Sequence, residues 1–340
     1  MESHLVTGAT GLVGMHIVLD LLNQNKKVCA TFTKNSNRSI IKHVFNHYGF
    51  SNYYDKVKWI KMDLEDVTEV YQAIKGVDFV YHSGAIVSFN KSDYEQMRRI
   101  NIEGTTNIVN ACLEHKIKKL AFISSVASIG RDGKGKYSEK NKWNSGKENS
   151  FYALTKYKAE NEVWRGIEEG LNAVITNPGI IIGPSHWGRS STTIFKQIHK
   201  GLSYFPEGKN GFIDVRDVAR ATIALMDSKI NRERFILVGE NLPYKSVFDD
   251  IALCLNKPKP YKKATKSLLE IAWRLEAIRC FITNKKQSIT KETARTASQI
   301  NIYENQKIIN ALNYNFKTIK EAISNTSKFL LKEESNRHDQ

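Results

Sequence analysis

Leu5-Val6-Thr7-Gly8-Ala9-Thr10-Gly11-Leu12-Val13-Gly14 decides the fold. A short apolar run ends at Thr7, glycines follow at 8, 11 and 14, and an amphipathic stretch continues from Leu12 to Asn23. Glycine is required where a chain turns sharply out of a strand and lies against a phosphate, because a side chain would collide there. The helix behind such a turn aims free N–H groups and the positive end of its dipole at the same point. Thr7, Gly8, Thr10, Gly11, Leu12, Val13 and Gly14 therefore read as a strand–loop–helix cradle for the pyrophosphate of a dinucleotide. A plain tight turn is the alternative; the position at the first strand–helix junction favours the cradle.

Beyond the cradle, short apolar strands alternate with helical stretches. Strands are expected at Val28–Phe32, Val57–Met62, Phe79–His82, Lys119–Ser125 and Ala173–Asn177, and a helix at Gly104–His115. That alternation predicts an α/β fold, a Rossmann-type doubly wound parallel sheet. The expected division is a nucleotide-binding domain over residues 1–177, with a return segment near 211–228. A smaller C-terminal substrate-binding lobe then covers 178–340 and ends in a basic tail. Past Pro178, Gly and Pro interrupt the pattern often, and Lys257-Pro258-Lys259-Pro260 reads as a connector. The Gly- and Ser-rich segment 131–149 reads as a surface loop bordering a substrate pocket.

Composition narrows the classes. No run of about 18 apolar residues exists, so no membrane span is expected. The chain enters its first strand directly from Met1-Glu2-Ser3-His4 without a secretory leader, and Cys29, Cys112, Cys254 and Cys280 lack metal-ligand spacing. A cytoplasmic protein without a metal site is the expectation. The net charge is +16, and residues 257–340 hold 17 Lys/Arg against 8 Asp/Glu, so +9 lies in the last quarter. Solvated lysines are the plain explanation; an anionic substrate or a membrane surface is the alternative. Nucleic acid is not expected, because no aromatic-interleaved basic motif or zinc pattern accompanies the charge. Leu268, Ile271, Leu275, Ile278 and Ile282 recur at helical spacing among Lys266, Arg274, Arg279 and Lys285. Core packing is the favoured reading of that stripe; weak membrane-surface association is the other.

Two residues one helical turn apart, Tyr152 and Lys156, sit in Ser150-Phe151-Tyr152-Ala153-Leu154-Thr155-Lys156. They share a helix face. A phenol beside an ammonium suits proton exchange at a carbonyl or hydroxyl carbon, because the cation favours the phenolate and draws its pKa toward neutrality.

Taken in order, the motifs resemble the extended short-chain dehydrogenase/reductase superfamily, the NAD-dependent epimerase/dehydratase family. The resemblance runs over about residues 4 to 325. It is carried by the glycine loop, Asp63-Leu64, His82-Ser83-Gly84-Ala85, Asn101-Ile102-Glu103-Gly104-Thr105, Ser124-Ser125, Tyr152 with Lys156, Asn177-Pro178-Gly179 and Phe212-Ile213-Asp214-Val215-Arg216-Asp217. It implies Tyr152 as acid or base and Lys156 as its partner and a ligand of the nicotinamide ribose. Ser125, with Ser124 as the adjacent candidate, would bond the substrate oxygen, and Asn101 would support a relay water. It also implies Asp63 and Leu64 at the adenine, Ser83, Gly84 and Ala85 along the cofactor, and Pro178 and Gly179 against the nicotinamide. A homodimer built on the helices 104–115 and 152–166 is plausible on the same ground. Gly84 stands where the family often has Ala.

Cofactor choice turns on the end of the second strand. Thr31-Phe32-Thr33-Lys34-Asn35-Ser36-Asn37-Arg38 lacks the acid that would bind a ribose 2′-hydroxyl. Lys34 and Arg38 suit a 2′-phosphate, so NADP is preferred, with NAD possible; Thr33, where many NADP-using reductases carry Arg, argues the other way.

The branch most resembled is that of dihydroflavonol reductases and 3β-hydroxysteroid dehydrogenases, which implies reduction of a carbonyl, or oxidation of the alcohol, on a hydrophobic or mixed small molecule. A nucleotide-sugar epimerase with tightly held NAD is the alternative. Dehydration is disfavoured because Ser124-Ser125-Val126-Ala127 stands where dehydratases commonly carry an Asp-Glu pair. A non-catalytic nucleotide sensor is a third reading, weakened by the retained Tyr–Lys pair. Asp214 and Asp217 read as structural anchors of a strand-to-helix turn, and His82 and His186 as residues without chemistry. Phe89, Trp143, Trp187 and Tyr204 are candidates for an apolar pocket or for core.

Overall fold

The computed structural model describes residues 2–338 except 132, 134, 147, 148, 284–286 and 288. Its centre is a seven-stranded parallel sheet of β1 (Ser3–Thr7), β2 (Lys27–Phe32), β3 (Lys58–Lys61), β4 (Phe79–His82), β5 (Lys119–Ile123), β6 (Ala173–Pro178) and β7 (Glu233–Leu237). In space they run β3-β2-β1-β4-β5-β6-β7. The strand order reverses between β1 and β4, and the crevice outside their carboxyl ends is where doubly wound sheets take ligands. The strands can be continuously apolar because helices cover both faces. Val6, Ala30, Tyr81, Ala121 and Val174 feed one buried cluster, and Leu5, Cys29, Val80, Leu120 and Ala173 feed the other.

The seventh strand is absent from the sequence reading. Its apolar run is short, and it begins with Glu233 and Arg234, so its sequence carries little strand signal by itself; pairing with β6 in register Glu233↔Val174 to Leu237↔Pro178 supplies the rest. The helix Val215–Asp227 before it packs against the helix Leu12–Asn23.

The smaller lobe holds a mixed three-stranded sheet of Ile180–Ile182, Lys209–Asp214 and Glu240–Pro243. Two two-stranded pairs join it: Tyr204–Pro206 with Lys262–Ala264, and Lys136–Tyr137 with Ile302–Tyr303. The segment expected as a tail is instead the helix Ile319–His338. Ile319, Ala322, Ile323, Phe329 and Leu330 repeat at helical spacing and are buried in the same cluster as β1 and β2, which is why the segment docks despite its lysines.

The apolar stripe of the helix Lys266–Thr283 is a second correction. Leu268, Ile271, Leu275 and Ile278 are exposed rather than in the core. The Ile282 side chain and Lys285 lie outside the described residues. Asp214 is the N-cap of the helix Val215–Asp227, accepting from Arg216 N at 2.8 Å. Buried Asp217 ties that helix to the C-terminal segment through Lys317 N at 2.7 Å. Among the described residues no helix is long and apolar enough to cross a membrane, and no cluster of side chains could hold a metal ion.

Candidate active site

The glycine loop leaves β1 as its spacing requires. Gly8 has φ +65°, and a Cβ on it would stand 2.6 Å from the Gly84 Cα. A Cβ on Gly14 would strike the Gly8 carbonyl. Gly11 N donates to Gly8 O at 2.9 Å, and the helix begins at Leu12 with Gly11 as its N-cap. These contacts bring the β1 and β4 exits face to face, leaving a backbone-lined cradle of the kind a pyrophosphate needs. Ser83 donates to Thr7 O at 2.7 Å, and the Thr7 hydroxyl meets His82 Nδ1 at 2.6 Å. His82 Nε2 meets the Thr105 hydroxyl at 3.1 Å. Burial, aided by the nearby Lys156 charge, pushes the His82 pKa down to about 3, so the imidazole is a neutral strut between β1 and the helix Gly104–Glu114.

The remaining residues expected at the cofactor border this cradle in different ways. Ser36, in the loop after β2, accepts from the Thr10 hydroxyl at 3.4 Å, which brings the Lys34–Arg38 turn beside the glycine loop. Lys34 is exposed, and Arg38 stacks 4.3 Å over the Phe32 ring. Leu64 is wedged against Gly84 and Gly104; Asp63 is exposed, and its carboxylate accepts from Glu65 N at 3.1 Å. Ala85 is exposed. Pro178 ends β6, and Gly179 N donates to Leu237 O at 3.0 Å, fixing this turn at the carboxyl edge of the sheet.

Across the crevice runs the helix Phe151–Glu168, capped by Ser150, whose hydroxyl accepts from Ala153 N at 3.0 Å. Tyr152 lies in its first turn. Ser125 caps a short turn after β5, its hydroxyl accepting from Ala127 N at 3.1 Å, and stands beside Tyr152. The Phe89 ring meets the Tyr152 ring edge-on at 6.0 Å. Trp143 instead stacks on Tyr157, Trp187 on His199, and Tyr204 faces solvent.

Lys156 is 2% exposed and donates to Ile123 O at 2.8 Å, with its ammonium 4.4 Å over the Phe122 ring. Burial draws its pKa down to about 7, against the opposing pull of Glu160. Burial pushes Tyr152 up to about 12, only partly offset by the neighbouring Ser125 hydroxyl. The sequence reading has the ammonium drawing the phenol down; the structure has desolvation dominating, with the ammonium turned toward a carbonyl. At neutral pH the phenol is protonated and is a proton donor.

Ser124 and Ser125 separate here. Ser124 is buried and donates to Glu160 Oε2 at 2.7 Å, and Ser128 and Asn177 converge on the same oxygen at 2.7 and 2.9 Å. Arg234, at the start of β7, closes the network on Glu160 Oε1 at 3.0 Å. Ser125 therefore remains for the crevice. Glu160 escapes the sequence reading although a signal was available: Tyr152, Lys156 and Glu160 recur every four residues along one helix face.

Asn101 sits in a π-helical turn, Arg98–Glu103, a geometry common at functional sites. Its amide bridges the Ile86 backbone, accepting from N at 2.7 Å and donating to O at 2.9 Å, and also donates to Thr155 at 3.1 Å. It thereby pins the segment after β4 to the Tyr152 helix. Glu292, also missed, reaches over from the smaller lobe and accepts from Tyr94 OH at 3.0 Å and Phe151 N at 3.1 Å.

A dinucleotide cradle at the switch point of a parallel sheet, facing a Ser–Tyr–Lys set, defines a nucleotide-dependent enzyme. Residues 4–239 match the NAD dependent epimerase/dehydratase family, and the chain belongs to it; it is an NAD(P)-dependent enzyme of the extended short-chain dehydrogenase/reductase type. The chain is 27% identical to a putative dihydroflavonol 4-reductase from Synechocystis over 95% of this chain and 93% of that one. It is 26% identical to sterol demethylase protein B from Methylococcus capsulatus over 75% of each. The crystal structure of gox2253 superposes with a TM-score of 0.81 at 25% identity, covering 98% of this chain and 99% of that one.

Proposed function

We propose that this protein is an NADP(H)-dependent oxidoreductase that reduces a carbonyl on a hydrophobic or mixed small molecule, or oxidises the corresponding alcohol. The observation that carries this reading is the Tyr152 phenol in the first turn of its helix, with Ser125 beside it and the Phe89 ring edge-on at 6.0 Å. A protonated phenol and a serine hydroxyl aimed at one point suit a carbonyl oxygen that gains charge and then a proton.

The nicotinamide, when bound, supplies or accepts the hydride. Thr7, Gly8, Thr10, Gly11, Leu12, Val13 and Gly14 would cradle its pyrophosphate, with Asp63, Leu64, Ser83, Gly84, Ala85, Pro178 and Gly179 along its length. Tyr152 delivers the proton to the substrate oxygen, Ser125 orients that oxygen, and Lys156 stands ready to bond the ribose. Asn101 holds the Ile86 backbone and the Tyr152 helix in register. NADP preference is supported by Lys34 and Arg38 in an acid-free turn next to Thr10. The names of the two relatives, a reductase and a sterol-processing protein, support an apolar substrate. A homodimer through the helices Gly104–Glu114 and Phe151–Glu168 belongs to the proposal, and sedimentation tests it.

Native mass spectrometry of the gently purified protein, with the released nucleotide identified, tests the reading. Uptake and release of NADPH fits a reductase that exchanges its nucleotide every cycle. Retained NAD would overturn the NADP assignment and favour an epimerase. With turnover in hand, Tyr152→Phe is expected to lower kcat by roughly 10³-fold while nucleotide binding stays intact. Near-normal turnover would remove Tyr152 from the chemistry.

A further inference from the structure

Among the described residues, the helix Lys266–Thr283 presents an apolar face left open to solvent. Leu268, Ile271, Leu275 and Ile278 are 38, 56, 62 and 58% exposed. At about 100° per residue they fall within an arc of about 80°. Arg274 and Arg279 stand on the two margins of that arc. Each is paired with a glutamate on the same helix, Glu270 and Glu276, at 2.6 and 2.7 Å. The opposite face, with Trp273, Glu276 and Cys280, is the one turned inward.

The exposed face continues into the strand before the helix. Tyr204 and Tyr261 are exposed, and Lys262 lies between them, its ammonium 5.7 and 5.5 Å from the two rings. Lys263 and Lys266 follow, both exposed. Residues 257–295 contain 11 Lys/Arg and three Glu.

We propose that this face docks the enzyme on an anionic membrane surface. The helix lies in the plane of the interface, with the four aliphatic side chains at the acyl boundary and the arginines and lysines among the lipid phosphates. Aliphatic residues in a narrow arc, cations on its margins and tyrosines at its end match the layering of a lipid interface. The helix is too charged to span. Charge decides against a second copy of this chain as the occupant. A two-fold contact would set this net-positive patch, with Lys262 and Lys266, against its own copy. An anionic lipid surface meets that charge with its opposite. The proposal is independent of which substrate the crevice takes.

Flotation of the full-length protein with vesicles of phosphatidylcholine, with or without phosphatidylglycerol, tests it. Binding is expected to the anionic vesicles only and to weaken as salt rises. Ile271→Ser/Leu275→Ser/Ile278→Ser is expected to lower that binding by about tenfold or more. Circular dichroism and nucleotide binding are expected to stay unchanged, because these side chains face solvent. Lys262→Gln/Lys263→Gln/Lys266→Gln is expected to flatten the salt dependence. Failure of the wild type to float with anionic vesicles at low salt would overturn the proposal. So would undiminished binding by the triple-serine variant, or a dimer in sedimentation that the triple-serine variant dissolves.

Discussion

Lys156 places an ammonium where water cannot reach it, and its replacement by methionine tests the desolvation that shapes the site. The folded pKa is about 7 against an ordinary 10.5. At about 1.4 kcal/mol per tenfold change in the protonation equilibrium, keeping this group folded costs roughly 4 kcal/mol at neutral pH. Between the two pKa values the unfolded chain binds more protons than the folded one, so stability rises with pH through that window. From pH 7 to pH 9 this group alone should raise wild-type stability by roughly 2 kcal/mol. Lys156→Met has no such group. It also loses the hydrogen bond to Ile123 O, worth about 1 kcal/mol. The variant should therefore be more stable than wild type by roughly 3 kcal/mol at pH 7, with most of that advantage gone by pH 9, and it should be inactive. Urea unfolding of both proteins at pH 7, 8 and 9, followed by tryptophan fluorescence, measures the difference; the other titrating groups cancel between the two. A difference that stays constant with pH, or a variant less stable at pH 7, would refute the reasoning.

The two adjacent serines should respond differently. Ser125→Ala should lower kcat by about 10²-fold with little loss of stability. Ser124→Ala should cost about 1–3 kcal/mol in unfolding free energy, because Glu160 loses a buried donor, while the activity of the folded fraction is kept; the reverse pattern would exchange their roles. Gly8→Ala should abolish nucleotide binding in a titration followed by fluorescence, because its φ of +65° and the 2.6 Å approach to Gly84 leave no room for a methyl group. Ordinary affinity in that variant would remove the loop from the cradle.

Local sequence determined a great deal. Glycines at 8, 11 and 14 specify the turn because its strain and close approach are properties of a few adjacent residues. Apolar runs such as Phe79–His82 and Ala173–Pro178 declare buried parallel strands for the same reason, and Tyr152 and Lys156 share a face by helical geometry alone. Tertiary structure decided what depends on the surroundings those residues meet. β7 is a strand because β6 offers it partners. The C-terminal segment is a helix in the core because the helix Tyr244–Cys254 and the strands Ile180–Ile182 and Lys209–Asp214 meet its apolar face, while the stripe on Lys266–Thr283 is left exposed. Ser124 and Ser125 cannot be told apart in sequence, since Glu160 and Arg234, 36 and 110 positions beyond Ser124, draw one of them inward. The same holds for charge: the spacing puts an ammonium one turn from a phenol, but burial and the Ile123 carbonyl decide which protons each holds. Desolvation is set by everything packed around a group, and long-range packing is what a local pattern does not encode.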